Sequence, residues 1–165
     1  MESLSLRVGL AAAAGLESAL PTLPRVGLKW PNDLLLDDRK VGGLLCEARW
    51  SGSSCQWVVI GIGINVANTI HLQHTATIAE FVPDATAEGL AGSMAVAIAA
   101  ATKYGGPLRP SEIAAFDERD VLRGRLATDP VRGTVEGINP SGALRIRAMD
   151  GVVHFVIDGL TLTAR

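Results

Sequence analysis

Between residues 26 and 66, four apolar segments are separated only by turns of three to five residues, and this spacing constrains the fold more than any other feature. Val26 to Trp30 is a short β-branched and aromatic run, Pro31-Asn32-Asp33 is turn chemistry, Leu34 to Leu36 resumes the apolar run, and Asp37-Asp38-Arg39 turns again. The pattern predicts a hairpin. Val41 to Trp50 and Gln56 to Val66 continue as extended segments around Ser51-Gly52-Ser53-Ser54, so a sheet of about four strands follows. Val58-Val59-Ile60 is continuously apolar and suits a strand buried on both faces.

Helical patterns flank this block. Leu4 to Leu20 is rich in leucine and alanine, has a small-residue face able to approach a sheet closely, and is ended by Pro21 and Pro24. Asn68 to Asp84 has no sustained period and predicts a loop, with one short helical turn around Ile78 to Phe81. Thr86 to Tyr104 places Leu90, Met94, Ile98 and Ala101 on one stripe and stops at Gly105-Gly106-Pro107. Pro110-Ser111-Glu112 opens a helix to about Arg119, although Ser111 and Ala114 do not make a capping box. From Val121 the character changes to short alternating segments (131–138, 143–147 and 152–157) around Asn139-Pro140-Ser141-Gly142 and Asp150-Gly151, both hairpin turns. These residues predict a small all-β unit of about five strands, for which a barrel would remove the exposed edges.

Hydrophobic residues at 48% and charged residues at 19% exclude a disordered chain, and 165 residues bury roughly two-thirds of their surface on folding. Fifteen Lys and Arg against 17 Asp and Glu leave a net charge of -2, so there is no global attraction for nucleic acid or an anionic membrane. A phosphate-bearing ligand would need a local site. Leu10 to Leu20 is too short and too interrupted to span a bilayer. Cys46 and Cys55 match no Cys-x-x-Cys spacing, and no secretory signal precedes them, so a reduced, cytoplasmic protein is expected. Cys46, beside Leu44 and Leu45, reads as a small buried hydrophobe.

The chemistry-bearing residues concentrate in three pieces: Lys29-Trp30-Pro31-Asn32-Asp33, Lys40-Val41-Gly42-Gly43 and Gly61-Ile62-Gly63-Ile64-Asn65-Val66. They supply two lysines at strand ends, one carboxylate, two carboxamides and four glycines where backbone can come close to a ligand. That set suits an anionic ligand accompanied by a metal ion, with ammonium groups facing phosphate or carboxylate oxygens. Each piece alone reads more readily as ordinary strand ends and turns. Gly61-x-Gly63 is not a dinucleotide fingerprint, because Val66 stands where the third glycine belongs and no helix-forming run follows. Neither a P-loop nor a Gly-x-Ser-x-Gly elbow occurs, and His71 with His74 lacks a third metal ligand.

In this order, Leu28-Lys29-Trp30-Pro31-Asn32-Asp33, Arg39-Lys40-Val41-Gly42-Gly43-Leu44-Leu45-Cys46-Glu47 and Val59-Ile60-Gly61-Ile62-Gly63-Ile64-Asn65-Val66 closely resemble the biotin protein ligases. The segment from Gly137 to Leu144 is similar to that family's small C-terminal barrel. The resemblance implies an α+β fold: a mixed or antiparallel sheet with packing helices, part of a class II synthetase-like catalytic domain over residues 1–119, then an SH3-like β-barrel over 120–165. It implies activation of biotin with ATP to biotinyl-5'-AMP and transfer of the biotinyl group to a lysine of a biotin carboxyl carrier protein domain. Lys40 and Lys29 would be catalytic, Lys40 on the biotin carboxylate and the forming acyl-phosphate, Lys29 on phosphate. Asn32, Asp33, Gly43, Leu44, Gly61, Gly63 and Asn65 would line or brace the substrate pocket, with Asp33 and Asn65 also positioning Mg2+. A homodimer is compatible with the resemblance; a nucleic-acid or membrane partner is not implied.

The family also carries, upstream, a Gly-Arg-Gly-Arg-Arg-Gly-type loop over biotin and the phosphates and a Ser/Thr-Asn element for the ureido ring, and neither occurs here. An unpaired sheet edge and uncovered apolar surface are therefore expected. The alternative is a truncated, non-catalytic ligase-like binding or interaction protein. Lipoyl or octanoyl transfer on the related fold fits Lys-Trp-Pro-Asn-Asp followed by Lys-x-x-Gly less well.

Overall fold

The computed structural model describes residues 2–163, as three α-helices, two antiparallel sheets and one short 3-10 turn. Helix α1 (Glu2–Ala19) lies on the first sheet and buries Leu6, Val8, Ala12, Ala13 and Leu16. Helix α2 (Ala87–Ala101), N-capped by the Thr86 hydroxyl accepting from the Gly89 N–H, packs on α1 through Leu90 and Met94. The helices come so close that a Cβ at Gly15 would stand 3.0 Å from the Met94 Cα. Helix α3 (Pro110–Asp117) has its first turn closed by the Glu112 carboxylate, which accepts from the Arg109 N–H at 2.7 Å. The capping contact absent at Ser111 is thus made two residues earlier, because Arg109 rather than Ser111 precedes the helix.

The first sheet has the order β1-β2-β3-β4, with β1 (Gly27–Lys29), β2 (Asp33–Leu36), β3 (Arg39–Ser51) and β4 (Ser54–Ile64) pairing successively antiparallel. Asp37 and Asp38 both have φ > 0 (48° and 58°), the backbone that a two-residue hairpin turn requires. The four-strand expectation holds, but Val58-Val59-Ile60 is not buried on both faces. β4 is the sheet edge, and Val58 and Val59 are 39% and 54% exposed. One face of β4 packs on the core through Ile60, Ile62 and Ile64; Val58 shares that face but stays exposed, and Val59 points to the other. Leu45, Trp50 and Trp57 extend the uncovered apolar surface along the hairpin arm. Cys46 is half-buried rather than fully enclosed, and burial raises its thiol pKa.

The last third of the chain forms a second sheet of order β8-β7-β6-β5-β9, from β5 (Leu126–Asp129), β6 (Gly133–Ile138), β7 (Leu144–Ala148), β8 (Val153–Val156) and β9 (Thr161–Leu162). Both expected turns form: Asn139 Oδ1 accepts from the Ala143 N–H, and Asp150 Oδ1 accepts from the Val152 N–H. This five-stranded sheet occupies the place expected for the barrel. The two sheets share one hydrophobic core. They are tied across their junction by the buried Trp30 indole N–H donating to the Gly142 carbonyl (2.9 Å) and by reciprocal backbone bonds from Leu28 to Arg119 and from Val121 to Leu28.

At that junction Asp120 is half-buried, with its Oδ2 shielded from solvent. Its Oδ1 accepts from the Leu122 N–H while Oδ2 has no partner, so burial, reinforced by Asp117, raises its pKa from 3.8 to about 6. A raised folded-state value stabilises below the unfolded pKa and loses that contribution as pH rises through the folded one. Between pH 4 and 7 the loss approaches about 3 kcal/mol at 1.36 kcal/mol per pH unit. Asp120→Asn is therefore expected to gain stability relative to the parent as pH rises across this window. Urea denaturation at pH 4 and pH 7 measures it; a parent–variant difference independent of pH would show that this carboxyl does not titrate on folding.

Candidate active site

The sheet register places Lys29 opposite Asp33, Asp33 opposite Gly43, and Gly43 opposite Gly63. Cross-strand partners share a face, so four of the expected site residues form one row across all four strands. Gly61, opposite Leu45 and two residues from Gly63, continues the same face along β4. This is the face turned away from α1, and a Cβ built on Gly63 would meet nothing within 4 Å. Bare backbone is thus presented beside two ammonium groups and a carboxylate.

Lys40 reaches this face through an irregularity. The β2–β3 pairing steps from Leu34 opposite Gly42 to Leu35 opposite Lys40, leaving Val41 as an extra residue. Strict alternation from Gly43 would send Lys40 to the opposite face. The bulge lets Val41 bury completely in the core while Lys40 joins Asp33. Lys40 Nζ then lies 2.5 Å from Asp33 Oδ1, and a Cβ on Gly43 would be 3.3 Å from the same Nζ, so the glycine leaves room for the lysine to fold over. The 71–75 loop fixes the strand from outside: the Lys40 N–H donates to the His74 carbonyl and the Ala76 N–H donates to the Lys40 carbonyl.

Lys29, Asp33 and Lys40 line one groove of about 570 Å³, together with Leu35, Asp38, residues 73–75, Val121 and Arg125. That volume lies in the ordinary range for small-molecule sites. Other expected site residues have different surroundings. Asn32 braces the turn onto β3, its side-chain amide donating to the Leu44 carbonyl at 2.7 Å while its own carbonyl accepts from the Leu44 N–H. The Leu44 side chain is buried in the core, on the side of α1, and only its backbone takes part in this brace. Asn65 follows β4 and clamps it, with its N–H donating to the Val41 carbonyl, its carbonyl accepting from Ile78, and its Oδ1 3.5 Å from Asn68 Nδ2.

Asp33 and Asn65 do not make a metal cage of their own. The carboxylate is paired to Lys40, the carboxamide lies beside Asn68, and no group of three or more His, Cys, Asp or Glu suited to a metal occurs among the described residues. Sequence reasoning missed the groove's second wall. Residues 73–75 read only as a polar loop, and Val121 and Arg125 belong to the opening of the second β unit, with no local pattern to connect them to Lys29.

Comparison with known proteins agrees with this architecture. Residues 2–65 match the model of the biotin/lipoate A/B protein ligase family. A biotin–[acetyl-CoA-carboxylase] ligase of Paracoccus denitrificans is 33% identical over 162 residues, spanning 90% of this chain and 68% of that protein. The bifunctional ligase/repressor BirA of Escherichia coli is 42% identical over 64 residues, which are 39% of this chain and 19% of that one. Among solved structures, the Aquifex aeolicus biotin protein ligase in complex with biotin and ATP superposes with a TM-score of 0.79 at 22% identity, covering all of this chain and 72% of that one. With one-third identity over more than two-thirds of a biotin ligase, and with the fold of solved biotin protein ligases, this chain belongs to the biotin protein ligase group of the biotin/lipoate A/B protein ligase family.

Proposed function

We propose that the chain carries the two-step chemistry of a biotin protein ligase, with residues 1–119 as part of the catalytic domain and 120–165 as a C-terminal SH3-like domain. In the first step a biotin carboxylate oxygen attacks the α-phosphorus of ATP; the new acyl–phosphate bond forms as the bond to pyrophosphate breaks. Negative charge grows on phosphate oxygens, where fixed ammonium groups stabilise the transition state more than the ground state. Lys40, held by Asp33, faces the carboxylate and the reacting phosphate, and Lys29 faces phosphate oxygens. Gly43, Gly61 and Gly63 let the ligand lie against backbone. In the second step the amine of a carrier-protein lysine attacks the acyl carbon, loses its proton, and expels AMP.

The row Lys29–Asp33–Gly43–Gly63, with Lys40 folded onto Asp33, is the observation that carries this reading. Mg2+ would have to take its ligands chiefly from the nucleotide, since the chain's own donors do not fit a resident ion, and no step is derived through it. A biotin carboxyl carrier domain as acceptor, a cytoplasmic location and a homodimer belong to the same proposal; among the described residues no helix is long and apolar enough to cross a membrane.

The uncovered apolar face of β3 and β4 favours a second reading, a ligase-like binding or interaction protein without turnover. Biotin-dependent ATP–pyrophosphate exchange separates the two. Exchange with biotin, and none with octanoate or lipoate, is the expected result; absence of exchange with biotin would discard the ligase reading in favour of the second.

A further inference from the structure

Five described arginines are buried or half-buried, and four of them are neutralised: Arg7 by Glu112, Arg39 by Glu80, Arg119 by Glu17 and Arg145 by Glu136, each with a carboxylate oxygen within 3.3 Å. Arg125 is the fifth. Among the described residues no carboxylate lies within salt-bridge distance of it, and its guanidinium donates only to the Thr163 carbonyl at 3.3 Å. It lines the same groove as Lys29, which is half-buried and likewise has no ion pair among the described residues. A partly desolvated guanidinium without an acid is costly unless something anionic satisfies it. Its planar fork suits phosphate oxygens better than a point-charge ammonium does.

From this placement we infer that Arg125 is a phosphate-binding residue, reaching from the second β unit to hold the pyrophosphate portion of the nucleotide opposite Lys29. The inference rests on the ligase reading above and deepens it, because the groove is then completed by both sheets. The backbone around Arg125 is fixed independently of its side chain: its N–H donates to the Leu122 carbonyl and its carbonyl accepts from the Val135 N–H. Truncating the side chain therefore removes the anion contact without removing a fold contact of weight.

The test is calorimetric titration of the whole protein with inorganic pyrophosphate. Arg125→Ala is expected to weaken binding about 10- to 100-fold, the loss of a charge-assisted hydrogen bond. Arg125→Lys should fall between, and Arg132→Ala, an exposed arginine outside the groove, should bind as the parent does. Unchanged affinity in Arg125→Ala, or an equal loss in Arg132→Ala, would overturn the inference. Biotin-dependent exchange is measured on the same samples: a rise in KM for ATP with KM for biotin unchanged supports the assignment, and equal rises in both overturn it. A parent protein without exchange defeats the ligase reading, while the pyrophosphate titration still decides whether Arg125 holds the anion.

Discussion

Lys40→Ala is expected to lower biotin-dependent pyrophosphate exchange by about 100-fold or more, the loss typical when one preorganised electrostatic contact to a transition state is removed. The side chain is half exposed and pairs with Asp33, so its removal leaves the core untouched. The melting temperature of Lys40→Ala should therefore stay close to that of the parent. Asp33→Asn probes the same device differently: it keeps the ammonium but removes the carboxylate that orients it, so a smaller loss is expected. Preserved exchange in Lys40→Ala would discard the assignment of this residue, whatever the variant at Asp33 does.

The second large effect is on stability. Arg7, buried on α1, makes a two-pronged pair with Glu112 on α3, Nε to Oε1 at 2.7 Å and Nη2 to Oε2 at 3.1 Å. It also donates to the carbonyls of Tyr104 and Pro107, fastening the segment between α2 and α3. Hydrogen bonding from Arg7 lowers the Glu112 pKa to about 2. A depressed value contributes stability above the unfolded pKa near 4.5 and loses it as pH falls through about 2, so the pair is intact through the physiological range. Removing one partner strands a buried charge, and Glu112→Ala should cost about 3–5 kcal/mol. That is a large fraction of the 5–15 kcal/mol by which ordinary domains are stable. Urea denaturation at pH 7 measures it. Replacing both partners together, as Arg7→Met with Glu112→Leu, should recover much of the loss, because two apolar side chains remove the stranded charge. A single-variant loss below about 1 kcal/mol would show that water reaches the pair.

The sequence carried the element order well, for identifiable reasons. Pro21 and Pro24 end α1, the Asp37-Asp38 turn and the Ser51–Ser54 turn delimit β2, β3 and β4, and Asn139–Gly142 with Asp150-Gly151 mark the second sheet. What it could not carry were relations between distant segments. A continuous run such as Val58-Val59-Ile60 has the same composition whether a strand is covered on both faces or stands at an edge. The bulge at Val41 left no trace in the alternation, because Leu34 to Leu36 and Val41 to Gly43 have none to interrupt. The lysines and glycines were visible as three separate pieces, and only register joins them into a row. Arg125 had no motif at all; its meaning comes from lining a cavity with Lys29 while every comparable arginine has found an acid.

The extra residue at Val41 also decides which kinds of sequence change this hairpin tolerates. Because the ammonium reaches its carboxylate only by virtue of an uneven count of residues on the two strands, the number of amino acids separating Asp33 from Gly43 matters more than most of their identities. Drift by point substitution can proceed along the turn at Asp37 and Asp38, whereas a change that forced strict alternation from Lys40 to Gly43 with Val41 retained would swing the charged side chain under the helix and an aliphatic one out towards the ligand.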